Sequence, residues 1–350
     1  MNKFSNNLFR WHKKFGRHDL PWQSEPTSYR VWVSEIMLQQ TQVKTVIPYF
    51  ERFMQSFPDV TALANAHEDK VLHHWSGLGY YARARNLHKS AKIIVDIYKG
   101  IFPDQIETVI KLPGIGRSTA GAILSLSQNQ RHPILDGNVK RVLARYYGIS
   151  GWTGERKTEE QLWKMAEQLT PIKNVSTYTQ AIMDLGAMVC SRTQPDCNNC
   201  PVMQGCFAYE NNQQSLLPTR RKKKPLPIKQ TIFTIIENKD GEVLLEKRPS
   251  VGIWGGLWSF PECPVNENLS TWIKKKYGSF VSDQTEHKTL RHTFSHFHLD
   301  IRPIRVKLIK DSVSVKDQGD IIWYKLNGSS QLGMAAPVTK ITRQLTKESK

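Results

Sequence analysis

Residues 112–116 read Leu-Pro-Gly-Ile-Gly and separate two segments that have the apolar spacing of α-helices. Gly114 and Gly116 let the backbone turn tightly and present backbone N–H groups at the start of the next helix. Such a helix N-terminus binds a phosphate group without reading a base sequence. The stretch therefore predicts two helices joined by a hairpin that contacts a phosphate backbone, although a simple helix–helix turn has the same pattern.

Helical spacing continues on both sides of this hairpin, throughout residues 1–210. The pattern predicts helices over 29–53, 71–75, 82–98, 106–111, 118–127, 139–147 and 159–169, with a break or kink near Pro48. Residues 211–228 are polar, basic and proline-containing, which is typical of a linker. Apolar runs and alternation over 231–236 and 297–301 then predict strands. We expect a mostly α domain (1–210), a linker (211–228) and an α+β domain (229–350).

The composition is that of a globular protein with a large positive charge. The 350 residues are 39% hydrophobic, and 49 Lys and Arg against 31 Asp and Glu give a net charge of +18. This excess indicates a polyanionic partner, either nucleic acid or an anionic membrane. No run approaches 18 apolar residues and no signal peptide is recognisable, so we expect a cytoplasmic, nucleoid-associated protein without a membrane partner. Five of the charges form the run Arg220-Arg221-Lys222-Lys223-Lys224.

Four cysteines near the end of the helical region have the spacing of a metal site. Cys190, Cys197, Cys200 and Cys206 form the pattern C-x6-C-x2-C-x5-C. Four soft ligands so close in sequence can enclose one tetrahedral metal or an iron–sulfur cluster. Structural zinc and unpaired thiols stay open, although all-cysteine zinc sites usually have two C-x2-C pairs and only one is present. Cys263, beyond the linker, is interpreted as an ordinary small residue.

Two separated carboxylates have surroundings that suit acid–base chemistry. Glu35 has Val31, Trp32 and Leu38 on its helical face, and burial among apolar neighbours raises a carboxyl pKa as a general acid requires. Asp136 follows an apolar run and precedes a predicted helix, where it would act as an N-cap. Either residue alone is more typical of a surface glutamate or a capping aspartate than of a catalytic group. As a pair flanking a sugar, they are what N-glycosidic cleavage needs.

Three longer motifs complete a family resemblance: VSEIMLQQTQ at 33–42, GLGYYARARNL at 77–87 and LDGNVKRV at 135–142. With the hairpin and the four-cysteine loop at 190–206, the chain resembles the endonuclease III-like helix-hairpin-helix DNA glycosylases, and within them the A/G-specific adenine DNA glycosylases. The resemblance covers nearly the whole chain. It implies base excision repair in which adenine opposite 8-oxoguanine or guanine is flipped from the duplex and released, leaving an abasic site. It also implies one 4Fe-4S cluster on the four cysteines.

The resemblance further implies roles for single residues. Glu35 protonates adenine and later helps water attack, Asp136 stabilises the oxocarbenium-like intermediate through a covalent stage, and Asn138 supports Asp136. Near the adenine pocket and the DNA it implies three weaker candidates, Trp22, Gln180 and Arg17. The residues it assigns to DNA contact are Gln39 and Gln40 on a wedge, the intercalating Tyr80, and Leu112, Gly114, Gly116, Ser118 and Lys140.

One position separates two kinds of enzyme in this branch. The bifunctional endonuclease III-like enzymes carry a lysine two residues beyond the last hairpin glycine, where it forms a Schiff base with the sugar. Here Gly116 is followed by Arg117 and then Ser118. Because a hydroxyl cannot form an imine, we expect a monofunctional glycosylase that leaves the abasic site uncut. Lys140, near the same site, would give at most weak adventitious trapping.

The second domain resembles a Nudix fold in its stretch GIWGGLWSFP at 252–261. A Nudix hydrolase needs a glutamate-rich helix to hold magnesium. The corresponding segment carries Lys274, Lys275 and Lys276 instead. We therefore expect a recognition module in which Phe294, Ser295 and His296 read 8-oxoguanine. The rival interpretation is a metal cluster of histidines, at positions His287, His292, His296 and His298.

Two other functions remain open on these residues. One is a bifunctional abasic-site lyase, which Ser118 disfavours. The other is a non-catalytic iron–sulfur protein that only binds DNA or senses damage. A binder needs neither Glu35 nor Asp136, so the carboxylate pair discriminates between the readings. The expected partner is double-stranded DNA with A·8-oxoguanine or A·G mispairs, bound by a monomer.

Overall fold

The computed structural model describes residues 3–221, 225–309, 319–326, 328 and 332–348. Three lysines of the basic run, at positions 222–224, lie outside the described residues. The contacts divide the chain into two compact units, one of 1–65 with 86–223 and one of 66–85 with 224–350. Residues 66–85 thus group with the C-terminal part of the chain, whereas the sequence-based boundary put them in the first domain. None of the described helices is long and apolar enough to cross a membrane.

The first unit is helical. Helix α5 (Glu68–Trp75) belongs to the second unit, and α6 (Ala82–Tyr98) begins in the second unit and continues in the first. The other helices of the first unit are α1 (Lys3–Phe15), α2 (Ser28–Leu38), α3 (Val43–Ser56), α4 (Val60–Asn65), α7 (Ile106–Val109), α8 (Arg117–Gln128), α9 (Gly137–Tyr147), α10 (Arg156–Leu169), α11 (Val175–Asp184) and α12 (Phe207–Glu210). A π-helical turn at Leu185–Val189 extends α11, and a 3₁₀ turn spans Cys197–Asn199. The predicted helical segments beyond residue 70 all fall on helices.

The first predicted helix is interrupted at a different place than expected. The chain leaves the helix between Leu38 and Val43, and Pro48 lies inside α3. A proline within a helix deprives the carbonyl four residues earlier of its donor. Because Pro48 and Lys44 are both exposed, water can satisfy that carbonyl, and the helix continues.

One buried cluster holds the elements that carry the candidate residues. Leu8 of α1, Leu143 of α9, Leu162 of α10 and Leu185 after α11 are all fully buried in it. Burial of one such side chain contributes about 1.5–3 kcal/mol. Helix α8 packs against α2 and α11. The start of α9 and the face of α2 are therefore fixed by a packed core.

The second unit contains a mixed β-sheet. Its strands are β1 (Ile228–Glu237), β2 (Val243–Lys247), β3 (Trp258–Ser259), β4 (Glu262–Cys263), β5 (Val281–Glu286), β6 (Leu290–Thr293), β7 (His298–Leu308) and β8 (Ile321–Tyr324). The order is β3-β2-β1-β7-β5, with β4 beside β1, β6 beside β7 and β8 beside β2; only β1 and β7 run parallel among these described pairs. Helices α13 (Leu269–Tyr277) and α14 (Ala336–Glu348) complete the unit.

The predicted strand pattern is visible in the burial of β7. Leu299 and Ile301 are buried, while His298 and Asp300 between them are partly exposed. Alternation of this kind is expected of a strand with one face on a core. A turn at 238–241 joins β1 to β2, and its Asn238 side chain accepts hydrogen bonds from the backbone N–H groups of Asp240 and Glu242.

Candidate active site

Glu35 lies on α2 among apolar residues. The helix begins after Thr27, whose hydroxyl accepts a hydrogen bond from the Arg30 backbone N–H at 3.3 Å. Trp32 and Ile36 beside Glu35 are buried. Desolvation of the Glu35 carboxyl among these residues, and secondarily the charge of Asp136, raises the pKa of Glu35 to about 8. A carboxyl in this state keeps its proton at neutral pH and can donate it.

Asp136 caps the start of α9, as its position in the sequence predicts. Its Oδ1 accepts a hydrogen bond from the Val139 backbone N–H at 2.8 Å, and its Oδ2 accepts one from Asn138 Nδ2 at 3.2 Å. Burial raises the pKa of Asp136, whereas these hydrogen bonds and the nearby Arg141 lower it. The two influences on Glu35 both raise its pKa, so Asp136 is the member of the pair that ionises first.

Arg141 connects Asn138 with the four-cysteine loop. Its guanidinium donates to Asn138 Oδ1 at 2.9 Å, to the Cys190 carbonyl at 2.7 Å and to the Gly186 carbonyl. A Cβ added at Gly186 would lie 2.6 Å from the Asn138 Cβ, so only glycine fits there. The Asn138 side chain, which donates to Asp136, is therefore held by Arg141 and by close packing against Gly186. The role of Arg141 was not expected from the sequence.

A cleft of about 1120 Å³ opens beside Asp136. It brings together four residues predicted from the sequence, Gln40, Asp136, Asn138 and Lys140. Its cationic lining residues are Lys140, Arg141, Arg192, Arg220 and Arg221. Lys140 is partly neutralised by Glu159 at 2.7 Å. A cleft whose charged lining is cationic except for one carboxylate suits a polyanion that presents an electron-poor centre to that carboxylate.

Two candidate wedge residues have an unusual backbone. Gln40 has φ of +58°, and Tyr80 in the second unit has φ of +50°, in the left-handed region that favours glycine. The neighbouring Gln39 donates to the Thr119 hydroxyl at 3.4 Å. The Tyr80 side chain is 48% exposed. Both tips therefore project from strained turns.

The hairpin at 112–116 directly precedes α8, and Gly116 is the N-cap residue of that helix. Gly114 has φ of +80°, and a Cβ there would lie 2.9 Å from the Asn86 Cβ, whereas a Cβ at Gly116 would meet nothing within 4 Å. Leu112 is buried beneath the turn. Ser118 Oγ accepts a hydrogen bond from the Leu135 backbone N–H at 2.9 Å. Ser118 thus anchors the segment that ends in Asp136.

Two of the three candidates near the proposed adenine pocket, Gln180 and Arg17, meet at a buried carboxylate that sequence reasoning missed. Asp184 accepts hydrogen bonds from Gln180 Nε2 and from Arg17 N and Nε, each at 2.8 Å. Burial raises the pKa of Asp184, but bonds from His12 and Arg17 outweigh it and lower the pKa. Trp22 is buried with its ring edge-on to another aromatic ring, at 5.4 Å between centroids. The spacing of four residues between Gln180 and Asp184 on α11 was a usable signal.

The four cysteines line one small pocket. Arg145, which is 3% exposed, donates to Cys190 Sγ at 3.3 Å and to the Ser191 carbonyl at 2.7 Å. Four thiol donors beside a buried cation fit a cluster that carries several thiolates. Among the described residues, no three His, Cys, Asp or Glu side chains are placed to hold a single metal ion. Cys263 lies buried in β4 of the other unit.

The predicted recognition loop forms a tight turn between β6 and β7. The Phe294 backbone N–H donates to the Phe297 carbonyl at 2.9 Å, and this leaves Ser295 and His296 exposed at the tip. The ring of Phe294 stacks on that of Phe297 at 4.6 Å. In α13, Lys276 is bound to Glu246 at 2.7 Å.

Comparisons with known proteins show the family to which the chain belongs. Residues 33–168 match the family described as HhH-GPD superfamily base excision DNA repair protein, and residues 232–344 match the NUDIX domain. An adenine DNA glycosylase of Buchnera aphidicola subsp. Acyrthosiphon pisum is 46% identical over 98% of both chains. The adenine DNA glycosylase of Homo sapiens is 33% identical over 85% of this chain and 65% of its own length.

Solved structures support the fold of the helical part. A thermostable thymine-DNA glycosylase matches 59% of this chain and 95% of its own with a TM-score of 0.54 and 24% identity. An endonuclease III in a non-covalent DNA complex matches 61% of this chain and 99% of its own, with a TM-score of 0.51 and 20% identity. The predicted fold class, a mostly α helix-hairpin-helix domain followed by an α+β Nudix-like domain, is confirmed.

Proposed function

The chain belongs to the adenine DNA glycosylase family, hydrolases of base excision repair that act on N-glycosyl bonds in DNA, and from this premise we propose that it releases adenine mispaired with 8-oxoguanine or guanine. The observation that carries the mechanism is the carboxyl pair. Glu35, with its pKa raised to about 8, retains a proton, and Asp136 holds two hydrogen-bond donors for its ionised form. Glu35 therefore serves as the general acid, and Asp136 serves as the anion that stabilises positive charge on the sugar.

The reaction starts with adenine flipped from the stack, because its bond to the sugar is inaccessible in a duplex. Glu35 gives its proton to the leaving base, and the electron pair of the N-glycosidic bond departs with adenine. The sugar is left with positive charge at C1′, where an Asp136 oxygen forms a transient covalent bond; the attacking water later displaces it, so that this bond breaks and the Asp136 carboxylate is released. Glu35, now a carboxylate, takes a proton from the attacking water, so the enzyme regains its starting state and the product is an abasic sugar.

Other residues bind the duplex. Gln39 and Gln40 form the wedge, Tyr80 intercalates beside the mispair, and the open N-terminus of α8 at Gly116 takes a phosphate. Trp22, Gln180 and Arg17 surround the adenine. Ser295 and His296 contact 8-oxoguanine.

Cys190, Cys197, Cys200 and Cys206 would hold one 4Fe-4S cluster, which supplies a rigid cross-link for the loop at 190–206. The shared pocket of the four thiols and the nearby Arg145 support this assignment. Ser118 in place of a lysine supports a monofunctional reaction. The monomeric state and the cytoplasmic, nucleoid-associated location stay predictions.

The test is adenine release from a duplex with one adenine opposite 8-oxoguanine, guanine or thymine. Wild type is expected to release adenine from the first two and to leave alkali-sensitive, uncut abasic sites. Glu35→Gln and Asp136→Asn should bind the mispaired duplex and release about 10²–10⁴-fold less adenine. Glu160→Gln, an exposed glutamate paired with Arg156, is the matched control and should behave like wild type. Turnover by either site variant at the wild-type rate would refute the mechanism.

A further inference from the structure

A tight turn at residues 252–256 has three left-handed residues. Gly252, Trp254 and Gly256 have φ of +96°, +53° and +74°. A Cβ at Gly255 would lie 2.5 Å from the Ser250 carbonyl oxygen. Trp254 is not glycine, so its left-handed conformation is unfavourable and persists only because its surroundings hold it. The turn is therefore closely packed at Gly255 and depends on its neighbours for its conformation.

One side of this turn holds the segment that carries Tyr80. The Arg85 guanidinium donates a hydrogen bond to the Gly255 carbonyl. A Cβ at Gly256 would lie 3.3 Å from Glu68 Oε1 and 3.5 Å from Arg85 Cδ, so the segment is in close contact with the turn. Lys247, at the end of β2, binds Asp69 at 3.0 Å. These contacts explain why residues 66–85 group with the second unit.

The loop that presents Tyr80 is itself cross-braced. Arg83 donates to the carbonyls of Leu78 and Gly79 at 3.2 and 3.1 Å, and Trp75 Nε1 donates to the Gly79 carbonyl at 3.2 Å. The Arg83 guanidinium also lies 5.6 Å from the Tyr80 ring centroid. The exposed tyrosine therefore projects from a loop fixed to the same unit.

The other side of the turn holds the 294–297 hairpin. The Trp254 ring lies 5.2 Å from His292 and 5.1 Å from Phe294 between centroids, and His292 lies 4.6 Å from Phe294. Phe294 stacks on Phe297, which in turn contacts His296 at 4.7 Å. Packed rings of this kind resist independent movement of the hairpin tip.

We propose that the 252–256 turn joins the Tyr80 loop and the 294–297 hairpin into one rigid reader of the base opposite the target adenine. Arg85 and Trp254 are then positioning residues for specificity, since neither has to touch DNA. This inference rests on the proposed function, in which Tyr80 and Ser295 contact that base and its neighbours. In this arrangement the two tips are coupled, so displacement of either tip displaces the other.

The experiment is a double-mutant cycle on the full-length protein. Affinities are measured for duplexes with A·8-oxoguanine and A·G, each with an uncleavable 2′-fluoro target adenosine, and their ratio gives the preference. Tyr80→Ala and Ser295→Ala are made singly and together, in the wild-type and the Arg85→Ala background. Trp254→Phe is a second, milder disruption of the turn, with folding checked by thermal melting. Arg302→Ala, which removes an exposed arginine paired with Glu286, controls for lost charge.

We expect each tip variant to lower the preference about 10-fold and the double variant to lower it little further, because the losses at two energetically coupled sites are not additive. Arg85→Ala and Trp254→Phe should lower the preference similarly while the single-turnover excision rate at saturating enzyme stays at the wild-type value. Arg302→Ala should keep the preference. In the Arg85→Ala background, Ser295→Ala should have little further effect.

Two results would overturn the proposal while the proposed function stands. One is a double variant whose loss is the product of the single losses, about 100-fold. The other is an intact preference in Arg85→Ala and Trp254→Phe. If neither tip variant changes the preference, the coupling and the assignment of 8-oxoguanine reading fail together, whereas adenine release measured with Glu35→Gln tests the chemistry separately.

Discussion

The backbone N–H of Leu135 donates a hydrogen bond to the hydroxyl of Ser118 at 2.9 Å. Leu135 is buried and directly precedes Asp136. The residue two positions beyond the hairpin glycine therefore has a structural task here, which is to hold the segment that presents the carboxylate.

Replacement of Ser118 by alanine should remove the partner of a buried N–H group. Such a loss costs about 1–3 kcal/mol of stability. We expect Ser118→Ala to lower the thermal midpoint and to slow single-turnover adenine release, because Asp136 loses its anchor. Ser118→Thr, which keeps the hydroxyl, should recover most of both. Equal behaviour of the alanine and threonine variants would contradict this role.

The wild-type enzyme should not be trapped on DNA by borohydride in stoichiometric amounts. Trapping needs a primary amine that forms an imine with the abasic sugar, and Ser118 occupies the position where the bifunctional enzymes carry one. Any minor adduct should disappear in Lys140→Ala, since Lys140 lines the same cleft as Asp136. Efficient strand cleavage at the abasic site would show that the monofunctional assignment is wrong.

The excision rate should fall as the pH rises through about 8. Above that pH, Glu35 loses the proton it must donate, because its pKa is about 8. At low pH the rate should fall again as Asp136 becomes protonated, at a pH above the usual range for aspartate because burial raises its pKa. Single-turnover rates at saturating enzyme, measured across pH 5–10, check both limbs. A rate that still climbs at pH 9 would rule out Glu35 as the acid.

Glu35 should also make the folded protein less stable as the pH rises. Its folded-state pKa lies above the ordinary value of 4.5, so the folded state binds the proton more tightly than the unfolded state. The contribution of Glu35 to the free energy of unfolding is then fully present below pH 4.5 and is lost as the pH rises to about 8. Glu35→Gln should therefore melt at a higher temperature than wild type at pH 8 and show no such gain at pH 4.5. A constant difference between the two pH values would argue against burial of the charge.

Loss of the proposed iron–sulfur cluster should destabilise the loop at 190–206, which the cluster would hold together. The purified protein should show a broad visible absorption band, which zinc lacks. Cys200→Ser should lose the band and lower the thermal midpoint, whereas Cys263→Ser, in the other unit, should keep the band. A colourless wild-type protein with one bound zinc would refute the cluster assignment.

Local patterns were sufficient for the parts of the site that depend on neighbours in sequence. The glycines of the hairpin, the N-cap at Asp136 and the helix over 82–98 follow from spacing and turn chemistry, and the structure has each where expected. The break after Leu38 was misplaced to Pro48, since solvent exposure, which decides whether a proline is tolerated, is not visible in a local pattern.

Contacts between distant segments could not be predicted in this way. Arg141 reaches Cys190, and Asp184 reaches Arg17, across 49 and 167 residues. The residue type alone predicts an exposed arginine or a surface aspartate at these positions. The grouping of residues 66–85 with the C-terminal unit likewise depends on tertiary contacts such as that between Arg85 and Gly255.

The left-handed backbone at Gln40 and Tyr80 has a consequence for anyone who engineers this protein. Glycine adopts that conformation without the penalty of about 1–2 kcal/mol that other residues incur. A selection for heat resistance alone would therefore favour glycine at both positions, and it would remove two side chains that are proposed to contact the duplex. Thermal tolerance and mispair recognition should trade off at these two turns, so a library has to be screened for both.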